Sequence, residues 1–471
     1  MRANIAVDEG GLHSWRGILT RGIRADSKTT KIRVGLLAPY LGKNYGDAAI
    51  LEAAIHNIRE RIPNCAIHGI WGELEDTRGL HRVPTHPFYA TTVSLMRKRR
   101  EDAGGEAEQD RRGGLAARLK ACLRRMPLLL FAAQLFYRIC RTFGSVPVEL
   151  RHWVFAFRLV RRLDMLVVAG SGQLNDQWGG PWWLPYALFK WALAARLMHT
   201  PFVFLSVGAS CRVTKLSTLF FLRTALALAS YRSYRTEQSK QFVTAFRSTH
   251  QDKVVPDLAF SLPPPKQAAP FLPSPSQFGI VGVAPTAYQH PHYLSASDES
   301  VYNNYLHLLA QFVSSLVRTG YTVVLFYSAR QDRKIVDGLY SLLGADLSPH
   351  LPQCLARPLL GSFQDLRAQI ETFDYVVASR LHAILLSHLA RKPVVAISPD
   401  PKVDAHMNDL GQRSYCLDIH DLELNALTHT FDSLQAHRRQ IQDHLQGLLP
   451  RYRQALQLQY DHVFGGVSHV R

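Results

Sequence analysis

Cysteines are scarce in this sequence, and none is spaced for a metal site. The chain has 471 residues and six cysteines, and no two of these form a CxxC pair. A zinc site of the cysteine type is therefore not expected, and we predict no bound metal. Isolated cysteines in a chain of this length are typical of free thiols in a reducing compartment.

Long hydrophobic runs are also missing. No stretch reaches the roughly 18 apolar residues of a membrane-spanning helix, and the most apolar segment, Met126–Tyr137, is shorter. The N-terminal sequence MRANIAVDEGGLHSWRG has no apolar core of the kind that signal peptides carry. We therefore expect a cytoplasmic protein.

Acidic residues are outnumbered, with 37 Asp and Glu against 55 Lys and Arg, which gives a formal net charge of +18. Residues 97–162 hold sixteen Lys and Arg and six Asp and Glu, so that segment carries +10 of the total. Such a balance favours anionic partners. Nucleic acid is not expected among them, because no zinc-finger or RNA-recognition signature is present.

The basic segment, an insert at about 95–162, admits two interpretations. From Leu115 onward Leu, Phe and Arg alternate in helical phase, which is typical of surface helices packed on a domain. The same pattern suits an interfacial element on an anionic bilayer. In that second interpretation the protein is peripheral on the inner face of the plasma membrane.

Two strand–loop–helix units predict a Rossmann-like layer in the first half of the chain. The apolar run Ile32–Tyr40 predicts a buried parallel strand, and Asp47 is suited to cap the helix that follows and stops before Pro63. Met165–Ala169 and Phe202–Val207 predict two further strands around a Trp-rich helix. This alternation is typical of a doubly wound parallel sheet.

The chain divides at a proline-rich connector. Six prolines lie within the sixteen residues 262–277, and strand–helix alternation restarts beyond them. An amphipathic helical segment covers about 421–463. We predict an α/β fold of two Rossmann-like domains that face a cleft, as in glycosyltransferase B-like enzymes, with a C-terminal helix. The predicted parts are a flexible arm (1–30), an N-terminal acceptor domain (31–262) that contains the insert, a linker (263–277), a C-terminal donor domain (278–430), and a final helix and tail (431–471).

Two loops of the first half are candidates for binding the acceptor. In NYGD, Asn44–Asp47, a glycine precedes a helix, and Asp47 is suited to accept a proton from a hydroxyl; the alternative for Asp47 is a simple helix cap. In GSGQLND, Asn175 and Asp176 are suited to sugar hydroxyls, and the alternative is a structural turn. His290 and His292, in AYQHPHY, are further acceptor candidates or loop histidines without a role.

Basic residues near strand ends predict an anion site in the cleft. Arg235 follows one predicted strand, where it binds a carboxylate or phosphate or else pairs with Glu237. Arg380 and His382 open a helix after another strand, and helix N-termini attract anions. Lys402 lies in the loop after the next strand. We expect these cations to surround one small anionic ligand.

These motifs together resemble the polysaccharide pyruvyltransferase family. The block SRLHAILLSHLARKPVVAISPDPK resembles its C-terminal signature, NYGDAAIL its N-x-GD motif, and GSGQLND its glycine-rich loop. Arg235 and Ser239 match its R-D-x-x-S segment, and Asp257 matches its D-x-A-F element. Thr236-Glu237 replaces the usual Asp, and the basic insert is unusually long. The agreement extends over about residues 32–412.

The resemblance implies a function and a set of roles. The donor in that family is phosphoenolpyruvate, a substrate, so no cofactor is expected. The resemblance implies Arg235, Arg380 and His382 as donor contacts with Lys402 assisting. From the chemistry we expect His382 and Arg380 to be catalytic, together with Asp47, which is suited to activate or orient the acceptor hydroxyl. The product is a pyruvate ketal on a sugar of a bacterial cell-surface polysaccharide or its precursor, with release of phosphate. Whether the acceptor is lipid-linked, and the oligomeric state, stay open.

Two other functions remain compatible with the sequence. A nucleotide-sugar glycosyltransferase shares the two-lobed fold, with basic residues gripping a diphosphate and Asp404 as the nearest acidic residue for a ribose. A non-catalytic scaffold that binds an anionic polysaccharide or a membrane through the insert is the second alternative.

Overall fold

The computed structural model describes residues 31–38, 44–72, 83–90, 146–176, 180–209, 213, 215–265, 269, 271, 277–288, 299–346 and 354–465. The predicted arm, residues 91–145 of the insert, and both His290 and His292 lie outside these ranges.

The first sheet has seven strands in the order β3-β2-β1-β4-β5-β6-β7, and every neighbouring pair is parallel. Its central strands are buried apolar runs such as MLVVA, as expected for a sheet covered by helices on both faces. The strands are β1 Arg33–Ala38, β2 Ala66–Trp71, β3 Thr85–Pro87, β4 Met165–Ala169, β5 Phe202–Val207, β6 Tyr231–Tyr234 and β7 Lys253–Val254.

The second sheet has six parallel strands in the order β10-β9-β8-β11-β12-β13. The order in which the strands follow one another reverses between β8 and β11. In parallel sheets such a reversal creates a crevice at the carboxyl ends of the strands, where ligands bind. The strands are β8 Ile280–Ala284, β9 Thr322–Leu325, β10 Leu355–Ala356, β11 Tyr375–Ala378, β12 Val394–Ser398 and β13 Cys416–Asp418.

Helices connect successive strands and cover the sheets. The first lobe contributes α1 Tyr45–Arg61, α2 over 146–160, α3 Leu184–Leu197, α4 Leu216–Leu228 and α5 Glu237–Thr244. The second contributes α6 Glu299–Thr319, α7 Arg333–Asp346, α8 Phe363–Glu371, α9 Leu381–Leu389, α10 Pro401–Asp409, α11 Leu424–Ala436 and α12 Arg438–Phe464. Short 3-10 turns cover Leu258–Ser261, Arg330–Asp332 and Arg413–Tyr415.

One hydrophobic core runs through both lobes. It includes α1, one face of the first sheet, the second sheet and its helices, and α12. A second core fills the opposite face of the first sheet, beneath α2, α3 and α4. Helix α1 contacts α8 and α9, so the lobes share a packed interface next to the cleft.

The final helix α12 returns from the second lobe to the first. Its buried Gln459 donates to Ser206 Oγ at 3.1 Å and accepts from the hydroxyls of Tyr231 and Ser233. Arg61 of α1 pairs with Asp461 at 2.8 Å. These contacts tie strands β5 and β6 and helix α1 to the C-terminal helix.

Most of the strands and helices predicted from the sequence are present, with ends shifted by a few residues. The predicted C-terminal helix over 421–463 is two helices, because the chain turns at His437 between α11 and α12. The proline-rich linker lies between the last strand of the first sheet and the first strand of the second; the exact domain boundaries stay a prediction. In the part of the chain that the structure describes, no helix is long and apolar enough to cross a membrane.

Gln459→Ala is expected to destabilise the junction between α12 and the first lobe. The substitution leaves buried hydroxyls without their partner, at a cost of about 1–3 kcal/mol in the free energy of unfolding. Urea denaturation beside Gln454→Ala, an exposed glutamine on the same helix, measures this. Equal midpoints for the two variants would mean that apolar contacts alone hold α12 in place.

Candidate active site

Backbone hydrogen bonds hold the NYGD motif against the second lobe. The amide of Tyr45 donates to the carbonyl of Ser328 at 2.9 Å, and Asn44 forms an isolated bridge with Ala329. The Tyr45 hydroxyl donates to the carbonyl of Leu360 at 2.7 Å. The start of α1 therefore lies at the interface of the lobes.

Asn44, and not Asp47, caps helix α1. The Asn44 side chain accepts from the amide of Gly46 at 2.9 Å and donates to Asp47 Oδ2 at 3.0 Å. The expectation that Asp47 caps the helix is wrong, because Asp47 lies three residues further on, in the first turn. Its other oxygen accepts from Ser171 Oγ at 2.8 Å. Ser171 belongs to the loop after β4 and has a φ of 58°, so a strained backbone presents this hydroxyl.

The ring of His382 lies directly on the backbone of Gly46. A methyl group at Gly46 would come within 2.2 Å of Cγ of His382. Glycine is therefore required at this position by the close approach of two lobes, which explains why the motif has a glycine inside a helix. The contact places His382 next to Asp47.

The Nε2 atom of His382 is buried and has no hydrogen-bond partner among the described residues. Burial lowers the pKa of His382 below its usual value. The carboxylates of Asp257 and Asp47 oppose this shift, while Arg235 and Lys402 add to it. A buried polar atom without a partner is costly, so its persistence is typical of a site that a ligand completes.

Arg235 follows strand β6, as predicted, and is almost fully buried. Its Nη1 donates to Asp257 Oδ2 at 3.3 Å, so its partner is Asp257 and not Glu237. The guanidinium covers the backbone of Gly208, where a Cβ would lie 2.7 Å from Nε. Ser239 fixes the loop after β5 by accepting from the amide of Ala209 at 3.1 Å.

Arg380 is held by a carboxylate that the sequence did not single out. Its Nε and Nη2 donate to the two oxygens of Asp332 at 2.7 and 2.8 Å. Asp332 is fully buried, and it also accepts from the amide of Ala287 at 3.0 Å. About a third of the Arg380 side chain is exposed, so its guanidinium is held in a fixed orientation and stays partly accessible.

Lys402 is half-exposed at the start of α10. Its ammonium group pairs with Asp400 Oδ2 at 2.7 Å, and Asp400 also caps the helix by accepting from the Lys402 amide. Burial is the main reason for the lowered pKa of His382, and the positive charge of Lys402 contributes to it.

Two further histidines lie behind the site. His388 and His406 are buried, with Nδ1 of the first 3.1 Å from Nε2 of the second. Burial lowers the pKa of His388 to about 3 and the pKa of His406 well below its usual value. Both rings are therefore neutral at pH 7 and add no charge to the site.

The remaining predicted acceptor residues do not join this cluster through direct bonds. Asn175 is buried and donates to the carbonyl of Gly172, and Asp176 accepts from Thr218 Oγ1 at 2.8 Å. Asn175 thus braces its own loop, and Asp176 holds that loop against α4. His290 and His292 lie outside the described residues. In the described ranges, no three His, Cys, Asp or Glu side chains are grouped so as to hold a metal ion.

Sequence reasoning missed Asp332 and Ser171 as members of the site. Asp332 lies in the loop after β9, at the same sheet edge as Arg380. A partly buried arginine requires a carboxylate partner, and Asp332 provides it. The sequence signal that could have identified Asp332 is its position, because it is an acidic residue in the loop that follows a predicted strand.

A family model described as polysaccharide pyruvyl transferase matches residues 44–401. The chain belongs to the polysaccharide pyruvyl transferase family. It is therefore a transferase, and its matched segment contains NYGD, Arg235, Arg380 and His382. No curated protein sequence matches the chain.

Solved structures with the same fold include a putative epimerase and glycosyltransferases. A putative UDP-N-acetylglucosamine 2-epimerase from Listeria monocytogenes is 10% identical, with a TM-score of 0.52 over 88% of this chain and 91% of its own. HepE from Anabaena, solved with UDP-glucose, is 12% identical, with a TM-score of 0.50 over 92% and 99%. A glycosyltransferase from Rickettsia africae is 9% identical, with a TM-score of 0.50 over 94% and 100%. These likenesses confirm the predicted glycosyltransferase B-like fold of two Rossmann-like domains, and at such identities they indicate the fold alone.

Gly46→Ala is expected to lower both stability and activity of this polysaccharide pyruvyl transferase. Alanine normally stabilises a helix relative to glycine by about 1 kcal/mol, but here its methyl group overlaps the His382 ring, and overpacking costs about 1–3 kcal/mol. Thermal melting beside Gly447→Ala measures the difference. Gly447 lies in α12 with open space around it, so its substitution should stabilise the protein. A stabilised Gly46→Ala enzyme with full activity would contradict the contact.

Proposed function

We propose that the protein transfers the pyruvyl group of phosphoenolpyruvate to two hydroxyls of one sugar, forming a ketal and releasing phosphate. The acceptor class is a sugar of a bacterial cell-surface polysaccharide or its precursor. The observation that supports this most strongly is the buried Nε2 of His382, which has no partner among the described residues and belongs to a ring that feels the charges of both Arg235 and Asp47.

The cations suit a small ligand that carries both a carboxylate and a phosphate. Arg235 and Arg380 come from different lobes, and each is oriented by a buried carboxylate. In the described structure, only Nε and Nη2 of Arg380 are engaged by Asp332, which leaves Nη1 for an anion. Fixed donors of this kind stabilise a dianionic leaving group without reorganising during the reaction. Lys402 adds a third positive charge.

The proton balance of the reaction assigns roles to His382 and Asp47. Addition of the first hydroxyl to C2 requires a proton on the methylene carbon, and His382 delivers it. The anionic donor raises the pKa of the neutral ring, which then takes up the proton that it transfers. Asp47 accepts the proton of an attacking hydroxyl, with Ser171 and Asn44 fixing its orientation. Phosphate departs with the proton that Asp47 holds, and the second hydroxyl closes the ketal as it gives its proton to His382, so both groups return to their starting states.

The proposed chemistry needs neither a nucleotide nor a metal. A nucleotide-sugar transferase of the same fold is the alternative, and it would need an acidic side chain free to bind a ribose. Asp404, the candidate for that role, accepts from Ser398 Oγ at 2.9 Å and lies 3.4 Å from Nη1 of Arg413. Because these contacts already occupy the Asp404 carboxylate within its own lobe, the pyruvyltransferase function is favoured over the nucleotide-sugar transferase.

Phosphate release from phosphoenolpyruvate in the presence of a panel of bacterial glycan acceptors tests the proposal. We expect acceptor-dependent release that falls by at least about 100-fold in His382→Ala and Arg380→Ala, because loss of a proton-transfer group or a positioned charge typically costs that much. The matched controls are His429→Ala and Arg451→Ala, which replace exposed residues of the C-terminal helices α11 and α12.

Thermal stabilisation by the two donor classes separates the alternatives. Phosphoenolpyruvate should raise the melting temperature of the wild type and of the two controls, but not of Arg380→Ala. Stabilisation by UDP-sugars alone, with no phosphate release, would replace this proposal by the nucleotide-sugar transferase. No response to either donor would favour the non-catalytic scaffold.

The pKa of His382 gives an independent prediction about the site. In the free enzyme it should lie below the usual value near 6.5, because burial disfavours the charged ring. Asp47→Asn should lower it further by removing a carboxylate that favours imidazolium, and phosphoenolpyruvate should raise it by adding negative charge. Titration of the ring resonance by NMR, assigned with His382→Asn, measures all three. A pKa unchanged by the donor would place the anion elsewhere.

A further inference from the structure

The outer layer of the first lobe exposes an unusual amount of apolar surface. Helices α2, α3 and α4, with the turn before α3, form this outer helical face above the second core. Leu216 is 83% exposed, Trp182 66%, Leu150 60% and Phe220 59%. Scattered exposed apolar residues are ordinary, but a cluster on one face marks an interaction surface.

Aromatic contacts make the cluster continuous across the helices. The rings of Trp182 and Phe221 are 5.2 Å apart, and those of Phe189 and Phe220 are 5.8 Å apart. The indole of Trp153, on α2, donates to the hydroxyl of Tyr186 at 2.9 Å. Partly exposed Trp and Tyr side chains with polar tips are enriched where proteins meet the headgroup region of a bilayer.

The same face is strongly basic. Residues 146–162, 181–200 and 215–230 hold eight Lys and Arg and one acidic residue, Glu149. Glu149 is used internally, because it pairs with the buried Lys190 at 2.6 Å. The seven other cations are exposed, namely Arg151, Arg158, Arg161, Arg162, Arg196, Lys215 and Arg223.

We propose that the outer helical face docks onto an anionic lipid bilayer. Apolar and aromatic side chains surrounded by Arg and Lys match the interface of such a membrane in both hydrophobicity and charge. A second copy of the chain would bring the same positive charge against this face. The segment 97–145, with twelve Lys and Arg and five acidic residues, would also do so. An anionic surface instead neutralises the charge of the face.

The face adjoins the acceptor side of the proposed site. Trp182 precedes α3 and Leu216 begins α4, so both lie at the carboxyl edge of the first sheet, where the site is built. Asp176 links the turn before α3 to α4, since its carboxylate accepts from Thr218 Oγ1 at 2.8 Å and its carbonyl from the amide of Gly180 at 3.1 Å. Resting on the proposed function, this placement assigns a lipid-linked sugar as the acceptor class, because the bilayer would present it beside the cleft.

Co-sedimentation with vesicles tests the docking surface. Full-length protein should bind vesicles of phosphatidylglycerol and phosphatidylcholine at moderate salt, and bind pure phosphatidylcholine much less. The variant Trp182→Ser/Leu216→Ser/Phe220→Ser should lose most of this binding. The variant Lys215→Glu/Arg223→Glu should lower the partition coefficient by more than about tenfold, because each cation near such a surface contributes measurably. Leu359→Ser/Leu458→Ser, exposed apolar residues elsewhere, is the matched control and should bind as the wild type.

The outcomes are distinguishable from those of the proposed function. Wild-type binding to anionic vesicles that both variants retain would overturn the docking surface, as would no binding at all. Sedimentation without vesicles that shows a dimer abolished by the triple variant would assign the face to a second copy. If the triple serine variant melts at a lower temperature than the wild type, its loss of binding could reflect unfolding, and the charge-reversal variant Lys215→Glu/Arg223→Glu then provides the test. Turnover of a soluble acceptor should persist in both variants, and vesicle binding without any use of phosphoenolpyruvate would overturn the proposed chemistry alone.

Discussion

The contact between Gly46 and the ring of His382 is the constraint on which the site depends. It joins the first turn of α1 in one lobe to the first turn of α9 in the other, at a separation that leaves no room for a β-carbon. The backbone bond from Tyr45 to Ser328 keeps the lobes in this register. The ring of His382 is buried where the lobes meet, and this burial lowers its pKa. A structural junction and a chemical property thus have one cause.

Paired carboxylates extend the same principle to the arginines. A guanidinium in the interior of a protein is stable only when a partner compensates for the lost water. Asp257 provides this for Arg235, and Asp332 for Arg380. The pairs also fix the directions of the remaining donors, so an anion that binds there would meet side chains that are already oriented. Binding then orders few side chains, which favours a small ligand.

The sequence predicted what depends on local pattern and missed what depends on topology. Buried strands such as Met165–Ala169 were predictable because they are continuous apolar runs between turn signals. The edge strands Lys253–Val254 and Leu355–Ala356 are too short to carry a period. Arg380 and His382 were predictable as candidates, because their motif opens a helix after a strand. Asp332, 48 positions away from Arg380, meets it only because β9 and β11 flank β8.

The two faces of the first sheet are covered differently, and this difference limits the directions from which an acceptor could reach the cleft. Helix α1 covers one face and is fixed against the second lobe, so that side is closed by the shared core. Helices α2, α3 and α4 cover the other face and present the basic, aromatic surface. Only the carboxyl edge of the sheet is common to both, and it carries Asp47, Ser171 and the loop before Trp182. If the outer face docks on a bilayer as proposed, an acceptor anchored there would reach the cleft across this edge.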